Sequence, residues 1–335
     1  APDIHLGHSV GLRKLRQFQD LGHQIVLIVG DYTGMVGDPS GRSKVRPQLT
    51  RPEVESNART YLEQFFRVLD PAPEEPRLPV EVHRNGEWFS VMDFMSVMRL
   101  ASQYTVARIL ERDDFAKRMR AQQPISLHEL FYPIMQGYDS VAIRADVELG
   151  ATEQKFNLLV GRVLQEIHGQ PPQIAVTLPV LPGLDGVQRM SKSLGNYVGV
   201  ADAPGDMYGK VMSLPDAVMG LYWRLVTDAD ESELATVERD LADTAVHPMS
   251  VKKRLAHRIA RIYHGAAAAD GAQRDFEAQF SRRETPEHLD EFGPDDLAKA
   301  LGHAPAAGIV EVLVASGIAV SKSAARRLVE QHAVS

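Results

Sequence analysis

The sequence predicts an α/β fold in which a parallel sheet with flanking helices is followed by a mainly α-helical region. The short apolar run QIVLIVG at 24–30 is typical of a buried parallel strand, and IAVTLPV at 174–180 predicts a further strand. Both runs lead into glycine-containing loops. Beyond Pro204 the strand signal fades. A chain of 335 residues with 44% hydrophobic and 24% charged residues fits a globular protein of two or three domains.

The composition and the chain ends limit the classes of protein. Cysteine is absent, which excludes disulfides and thiolate metal sites, and no run of about 18 apolar residues predicts a membrane span. The net charge is 37 − 44 = −7, so contact with nucleic acid must use local basic patches. We expect a cytoplasmic protein with no membrane attachment. We also expect the natural protein to extend beyond both ends, with a strand before the first motif.

The first motif is HLGH at 5–8, at the predicted start of a helix. Apolar residues follow at three-residue steps, near the helical period, at Leu12, Leu15, Phe18 and Leu21. Gly22 is a suitable helix stop. The free N–H groups and dipole of a helix N-terminus favour an anion, and Gly7 lets a ligand approach the backbone. The segment predicts a nucleoside triphosphate site; the alternative is a turn with two solvated histidines.

A turn-rich loop at 31–42 follows the first predicted strand, at the end where α/β sheets bind ligands. It carries Asp38, which can pair with an ammonium group. Basic side chains that can reach phosphates follow at Arg42, Lys44 and Arg46. A solvated loop with a self-bonding aspartate is the alternative.

A helix predicted to begin with a capping box at Ser126 carries three polar side chains on one face. Tyr132, Gln136 and Asp139 stand at i, i+4 and i+7 beside apolar neighbours. They indicate a ligand cavity with a few convergent polar groups, and the alternative is a solvated helix face.

Two later loops add further candidate residues. A turn at 150–154 opens a helix and carries Glu153, which can accept hydrogen bonds from sugar hydroxyls. The loop at 181–196 contains RMSKS at 189–193, in which Lys192 is suited to follow a charge that develops during a reaction. An exposed basic loop is the alternative for this second segment.

The remaining pattern predicts helices at 51–70, at 91–120 with a break at 102–105, and at 216–265. It also predicts a short strand at 80–83 and a strand within 141–149. An apolar group indicates core or a subunit contact at Phe94, Met95, Met98 and Leu100. One basic helix carries Lys252, Lys253, Arg254, Arg258 and Arg261. A last unit at 309–331 exposes Lys322, Arg326 and Arg327. The basic helix is a candidate phosphate-contact surface, with a solvated face as the alternative.

With these motifs in place, the chain resembles bacterial tyrosyl-tRNA synthetases over almost its whole length. HLGH resembles the HIGH motif of class I aminoacyl-tRNA synthetases, and RMSKS resembles their KMSKS motif. LFYPIMQGYDS at 130–140 and ELGATEQKFN at 148–157 resemble the tyrosine and ribose segments, and GIAVSKSAARRLVEQ at 317–331 resembles the start of a small RNA-binding domain. The resemblance implies a Rossmann-like catalytic domain at 1–212, an α-helical anticodon-arm domain at 213–300 and a partial α+β RNA-binding domain at 306–335.

The resemblance also implies a reaction and its participants. The expected enzyme is an aminoacyl-tRNA ligase that activates L-tyrosine with ATP, releases pyrophosphate, and transfers the tyrosyl group to the 3′ end of tRNA(Tyr) with release of AMP. The expected form is a homodimer. Mg²⁺ is expected to arrive with ATP, so no dedicated protein metal site is expected.

Residue roles follow from the same resemblance, position by position. The implied catalytic residues are His5, His8, Arg189 and Lys192. The implied ATP-binding residues are His5, Gly7, His8, Arg42, Arg46, Gly150, Glu153, Met190, Ser191, Lys192 and Ser193. The implied tyrosine-binding residues are Thr33, Asp38, Tyr132, Gln136, Asp139 and Gln154. The implied tRNA-binding residues are Lys252, Lys253, Arg258, Lys322, Arg326 and Arg327.

Three positions depart from the family pattern, which usually has Lys at Arg189, Gly at Ala151 and Asp at Glu153. We expect the family's second phenol partner, a tyrosine from the strand before the first motif, to lie outside this chain. Three alternative functions fit parts of the pattern: a tryptophanyl-tRNA synthetase, a small-molecule nucleotidyltransferase, and a non-catalytic RNA-binding protein on a synthetase scaffold.

Overall fold

The computed structural model describes residues 4–36, 59–282, 296, 299–300 and 308–330. The chain divides into two compact units, Ala1–Phe276 and Glu277–Ser335. Three of the predicted site residues, Asp38, Arg42 and Arg46, lie outside the described residues, as does the first part of the helix predicted at 51–70.

The described strands of the first unit form two parallel pairs. β1 (Val26–Val29) pairs with β2 (Glu81–Arg84), and β3 (Val147–Ala151) pairs with β4 (Ile174–Leu178). Parallel neighbours require a crossover connection, and helical segments lie between the strands of each pair. The predicted α/β class with parallel strands is therefore confirmed. The strand predicted within 141–149 is present and begins at Val147, after the preceding helix ends at Ile143.

Among the described residues before β3, the helices are α1 (Leu6–Asp20), α2 (Thr33–Val36), α3 (Gly86–Phe89), α4 (Phe94–Ser102), α5 (Val106–Ile109), α6 (Asp113–Arg120) and α7 (Leu127–Ile143). Residues 59–65 are also helical. The predicted break at 102–105 is confirmed, since α4 ends at Ser102 and Thr105 caps α5 by accepting from the Arg108 N–H. The capping box of α7 is confirmed by the Glu129 carboxylate, which accepts from the Ser126 N–H at 2.9 Å.

The helices after β3 in the first unit are α8 (Lys155–Ile167), α9 (Pro204–Met212), α10 (Met219–Val226), α11 (Glu231–Ala242), α12 (Pro248–His264) and α13 (Ala266–Phe276). The predicted change to helix beyond Pro204 is confirmed. Leu6 and Val10 of α1 belong to the same hydrophobic cluster as Tyr222 of α10 and Leu255 of α12. The first motif is thus anchored on the helical region through a common core.

The apolar stripe of α1 packs as predicted over most of its length. Leu12 is buried in a cluster with Ile25 and Leu27, and Leu15 and Phe18 pack against it. The prediction was wrong for Leu21, which follows the last helical residue and is 77% exposed. Gly22 has a φ of +83°, a backbone conformation that disfavours other residues and that ends the helix.

The second unit contains a π-helical segment (Glu277–Arg282), α14 (Ile309–Ala315) and α15 (Lys322–Glu330). Its buried residues Leu313, Ala319 and Ala325 form a small cluster between the last two helices. Both α14 and α15 lie within the last unit predicted at 309–331. Across the described parts of both units, no helix is long and apolar enough to cross a membrane.

Candidate active site

The segments carrying HLGH and RMSKS meet through a short antiparallel backbone contact. The Leu6 N–H donates to the Val198 carbonyl at 3.0 Å, and the Val200 N–H donates to the Ile4 carbonyl at 2.9 Å. The chain leaving the second motif therefore lies beside the chain that enters α1. The Gly7 N–H also points to the Met190 sulfur at 3.4 Å, so the two motifs touch directly.

A cavity of about 360 Å³ opens between these motifs and the carboxyl end of β3. Eight predicted site residues line it: His5, Gly7, His8, Gly150, Glu153, Gln154, Arg189 and Met190. Ligands of open α/β sheets bind at the carboxyl ends of strands, and the N-terminus of α1 faces this end. Three predicted ATP-binding residues, Ser191, Lys192 and Ser193, are not among the lining residues of this cavity.

The two histidines of the first motif form a stacked pair with ring centroids 3.8 Å apart. The His5 backbone N–H donates to His8 Nδ1 at 3.3 Å, so the proton of a neutral His8 ring resides on Nε2. Burial lowers the pKa of His5 to about 3 and also lowers the pKa of His8. Both rings are therefore neutral near pH 7, and each can donate a single hydrogen bond to a phosphate.

The stacked histidines leave one ring nitrogen available to a ligand, and they leave no space for a side chain at Gly7. His5 Nδ1 is buried and has no hydrogen-bond partner among the described residues. A buried polar atom without a partner is costly, and a bound ligand is one way to satisfy it. A Cβ atom on Gly7 would stand 3.0 Å from the His5 ring, so a larger residue would displace the stacked histidines.

The loop that carries the second motif is held by Asn196. The Asn196 amide donates to Asp185 at 2.6 Å, and its Oδ1 accepts from the Ser191 N–H at 2.8 Å. Lys192 begins a 3₁₀ turn (Lys192–Leu194) on the exposed side of this loop, beside a contact between the Ser191 and Ser193 hydroxyls at 2.9 Å. Sequence reasoning missed Asn196, although it lies only three residues after the motif.

Two of the three departures from the family pattern contact each other. Arg189 Nη1 lies 3.0 Å from a Glu153 carboxylate oxygen, and both residues line the cavity. Both side chains are partly exposed, so the ion pair contributes little to stability. Its consequence is geometric, because it links the second motif to the turn that follows β3.

The predicted tyrosine-binding residues Thr33 and Asp139 lie on one buried hydrogen-bond network. Asn85 Nδ2 donates to Thr33 Oγ1 at 2.9 Å and to Asp139 Oδ2 at 3.3 Å, and Trp88 Nε1 donates to Asp139 Oδ1 at 2.9 Å. Burial raises the pKa of Asp139 to about 7, and the neighbouring Glu148 and Asp31 carboxylates add to that rise. The site thus presents a carboxylate that titrates near neutral pH.

Sequence reasoning missed Asn85 and Trp88. The available signal was their position, directly after β2 at the carboxyl end of a strand. Their partners lie more than fifty residues away in the chain, which no local pattern reveals.

The predicted Gln136 belongs to a second polar network. Its Oε1 accepts from Asn157 Nδ2 at 2.7 Å, and its side chain also bonds to the Glu148 carboxylate. Tyr132 is half-buried on the same helix. Gln154 Oε1 accepts from the Ala151 N–H at 2.9 Å, at the edge of the cavity. Glu148 and Asn157 were not singled out from the sequence.

The predicted tRNA-binding residues divide into exposed and internal groups. Lys252 is buried, and its ammonium group lies 2.6 Å from Asp216 and donates to the Leu214 carbonyl. The prediction for Lys252 is therefore corrected, since an interior ammonium cannot reach a phosphate. Arg258 is paired with Asp228 and Glu233.

The other predicted tRNA-binding residues are more accessible. Lys253 is half-buried, and Lys322, Arg326 and Arg327 of α15 are exposed. Lys322 lies 3.2 Å from Glu311 across the two helices of its unit. The second unit therefore presents a basic helix face.

No group of three or more His, Asp or Glu side chains that could hold a metal ion occurs in the described ranges.

Comparison with known proteins agrees with this geometry. The family of class I tRNA synthetases (W and Y) matches residues 1–281. A tyrosine–tRNA ligase of Moorella thermoacetica is 52% identical over 100% of this chain and 78% of that protein. A tyrosine–tRNA ligase of Thermotoga maritima is 50% identical over 99% of this chain and 79% of that protein.

Solved structures resemble the fold at lower identity. A tyrosyl-tRNA synthetase of Archaeoglobus fulgidus, complexed with L-tyrosine, has a TM-score of 0.63 and 21% identity, over 82% of this chain and 87% of that one. The C-terminally truncated mitochondrial tyrosyl-tRNA synthetase of Aspergillus nidulans has a TM-score of 0.67 and 19% identity, over 84% and 83%. The family assignment rests on the tyrosine–tRNA ligases, which are about 50% identical to this chain over nearly its whole length. The chain belongs to the tyrosine–tRNA ligases, a family of aminoacyl-tRNA ligases within the class I tRNA synthetases.

Proposed function

We propose that this chain activates L-tyrosine with ATP and transfers the tyrosyl group to tRNA(Tyr). In the first step a tyrosine carboxylate oxygen attacks the α-phosphorus in line, and the bond to the bridging oxygen breaks to release pyrophosphate. In the second step a hydroxyl of the terminal tRNA ribose attacks the tyrosyl carbonyl, and AMP leaves. No covalent enzyme intermediate is needed, so the protein contributes positioning and charge stabilisation.

The observation that carries the proposal is the cavity in which both signature segments meet. His5 and His8 face it as neutral rings at the N-terminus of α1, which favours the phosphates of ATP. Glu153 is the proposed acceptor for the ribose hydroxyls. Arg189 and Lys192 are the proposed partners of the departing pyrophosphate, with Arg42 and Arg46 assigned from the family pattern alone.

The buried network around Asp139 is the proposed recognition site for the tyrosine phenol. An acceptor held by Trp88 and Asn85 is rigid, and a rigid acceptor selects a ligand that brings a hydroxyl donor. Tyr132, Gln136 and Asp38 are the proposed partners of the α-ammonium group, and Gln154 is placed beside the carboxylate. Thr33 completes the set through its contact with Asn85.

We assign the tRNA contacts to exposed or half-buried cations, and we assign no dedicated metal site to the protein itself. The proposed phosphate contacts are Lys253, Lys322, Arg326 and Arg327. Arg258 is assigned a supporting role in the tRNA surface, since it is held by ion pairs with Asp228 and Glu233. Mg²⁺ would arrive with ATP, held chiefly by its phosphate oxygens, whose negative charge it would neutralise. We place the reaction in the cytoplasm, where translation consumes aminoacyl-tRNA.

The proposed quaternary structure is a homodimer. Phe94 and Met95 of α4 are 75% and 56% exposed, and the neighbouring Val91 is 79% exposed. A contiguous exposed apolar group of this kind marks an interaction surface, and we assign it to a second copy of the chain.

Changing Phe94 to glutamate is expected to convert the dimer into a monomer, because a charge would be buried against the apolar partner face. Light scattering at several protein concentrations measures this. Leu21→Glu, at a side chain that is 77% exposed at the end of α1, is the matched control and is expected to stay dimeric. A wild-type protein that is monomeric at high concentration would refute the assignment.

The experiment that tests the reaction is ATP–pyrophosphate exchange dependent on an amino acid. Exchange with tyrosine, and not with tryptophan or phenylalanine, is the expected result. Exchange driven by tryptophan would replace the assigned substrate. Absence of exchange with every amino acid, in a protein that still binds tRNA, would favour a non-catalytic RNA-binding protein instead.

A further inference from the structure

One acidic side chain near the proposed ammonium site has no role in the reaction described above. Glu148 lies in β3 and is only partly exposed. Its Oε2 accepts hydrogen bonds from the Ser140 hydroxyl at 2.7 Å and from the Gln173 amide at 2.5 Å. Gln136 makes a third hydrogen bond to this carboxylate. These hydrogen bonds favour the ionised carboxylate and offset part of the effect of burial, which raises the pKa of Glu148.

The hydrogen-bond chain through Glu148 fixes the direction of the Gln136 amide. Gln136 Oε1 already accepts from Asn157 Nδ2, so its Nε2 is the atom available to donate to Glu148. An ionised carboxylate can only accept, and this prevents the Gln136 amide from turning over. The remaining acceptor capacity of Gln136 therefore stays on Oε1, which is the atom that an ammonium group requires.

The charge of Glu148 acts in the same direction as this geometry. Burial raises the pKa of Glu148 overall, and its hydrogen bonds from Ser140, Gln173 and Gln136 offset only part of that rise. Interactions between charges are stronger at partly buried sites than in water. A negative charge one hydrogen bond behind Gln136 therefore favours a cation in front of it.

We propose that Glu148 is a positioning residue for the α-ammonium group of the substrate, acting through Gln136. It orients the Gln136 amide and supplies negative charge behind it, so that the pocket prefers ligands with an ammonium group. The inference rests on the proposed tyrosine site and assigns to that site a selectivity for the amino group that Asp139 does not provide.

Three ligands separate this role from a structural one. L-Tyrosine carries the phenol, ammonium and carboxylate; tyramine lacks the carboxylate; 3-(4-hydroxyphenyl)propionate lacks the ammonium. Their dissociation constants at pH 8 are measured by calorimetry for the full chain and for Glu148→Gln. We expect tyrosine and tyramine to weaken by about tenfold or more, the usual effect of a hydrogen bond that involves a charge. The propionate is expected to change by less than about twofold, since it places no ammonium group at the site.

Two further variants serve as controls. Ser140→Ala removes a donor to Glu148 but keeps the charge, so it is expected to lower the melting temperature without changing the relative affinities of the three ligands. Glu148→Asp keeps the charge on a shorter side chain and is expected to recover part of the preference for ammonium ligands.

The outcomes are distinct. Equal weakening of all three ligands by Glu148→Gln would show a structural role and overturn the inference, as would unchanged binding of all three. The inference would also be wrong if the unaltered protein bound tyrosine and tyramine no more tightly than 3-(4-hydroxyphenyl)propionate. If it binds no phenolic ligand and shows no tyrosine-dependent exchange, the proposed function itself fails, and the inference fails with it.

Discussion

Changing Lys192 to alanine is expected to lower the rate of tyrosyl-adenylate formation by about 100- to 1,000-fold, the usual effect of removing one group that stabilises transition-state charge. Tyrosine affinity is expected to change by less than about twofold, because the tyrosine carboxyl and ring do not depend on this ammonium group. Lys192 is exposed on a 3₁₀ turn next to the cavity, so its loss should leave the folded core intact. Single-turnover adenylate formation and equilibrium tyrosine binding, measured on one preparation, separate the two effects.

The control for Lys192 is a lysine of similar exposure far from the motifs. Lys117 of α6 has a side chain that is 73% exposed, and its Nζ lies 4.0 Å from a carboxylate oxygen of Asp113. Lys117→Ala is expected to keep the normal rate. An unchanged rate in Lys192→Ala, or a loss shared equally by tyrosine binding, would remove Lys192 from the transition state.

The second large effect concerns the phenol end of the pocket. Changing Asp139 to alanine is expected to reduce the discrimination between tyrosine and phenylalanine by about 10- to 100-fold, since a hydrogen bond to a charged group is lost. The kcat/KM ratio for the two amino acids in the exchange reaction measures this. Asp139→Asn keeps the side-chain volume and guards against a simple folding defect. Full rejection of phenylalanine in both variants would show that Asp139 does not contact the phenol.

The same carboxyl group predicts a pH dependence of ligand binding. The pKa of Asp139 is raised from 3.8 to about 7, so the group is mostly protonated at pH 6 and mostly ionised at pH 8. An ionised acceptor binds a phenol more strongly than a protonated one. Binding is therefore expected to weaken by about tenfold as the pH falls from 8 to 6, following the ionised fraction.

The groups that face Asp139 determine how this pH experiment is designed. Trp88 and Asn85 donate to it, and Glu148 and Asp31 raise its pKa. Because Glu148 acts at the ammonium end, 3-(4-hydroxyphenyl)propionate isolates the titration of Asp139. Trp88→Phe removes a donor that lowers the pKa, so the midpoint of the curve is expected to move to higher pH. A flat curve for the unaltered protein would contradict the assignment of Asp139.

The ionisation of Asp139 affects folding stability in the direction opposite to its effect on ligand binding. Because the folded protein holds the Asp139 proton more tightly than the unfolded chain does, this group favours folding fully below about pH 4. That contribution is lost as the pH rises through about 7, in the range where ligand binding improves. In the free protein the ionised Asp139 carboxylate is therefore unfavourable, and the hydroxyl of a bound phenol would stabilise it by donating a hydrogen bond.

Local sequence patterns determined the elements and the two signature segments. The apolar period after HLGH predicted α1, the short apolar runs predicted the parallel strands, and a capping box predicted the start of α7. These features depend on neighbours within a few residues, since helix periodicity, capping and a short apolar run are all properties of a local segment. The i, i+4, i+7 spacing likewise placed Gln136 and Asp139 on one helix face.

Only the tertiary structure decided which polar groups support those residues. Asn85 and Trp88 reach Asp139 across more than fifty residues, and Gln173 reaches Glu148 across 25. It also decided that Lys252 belongs to the interior and that Leu21 is exposed. Burial and hydrogen bonds between distant segments are fixed by how helices and strands pack, and a local pattern carries no information on that packing.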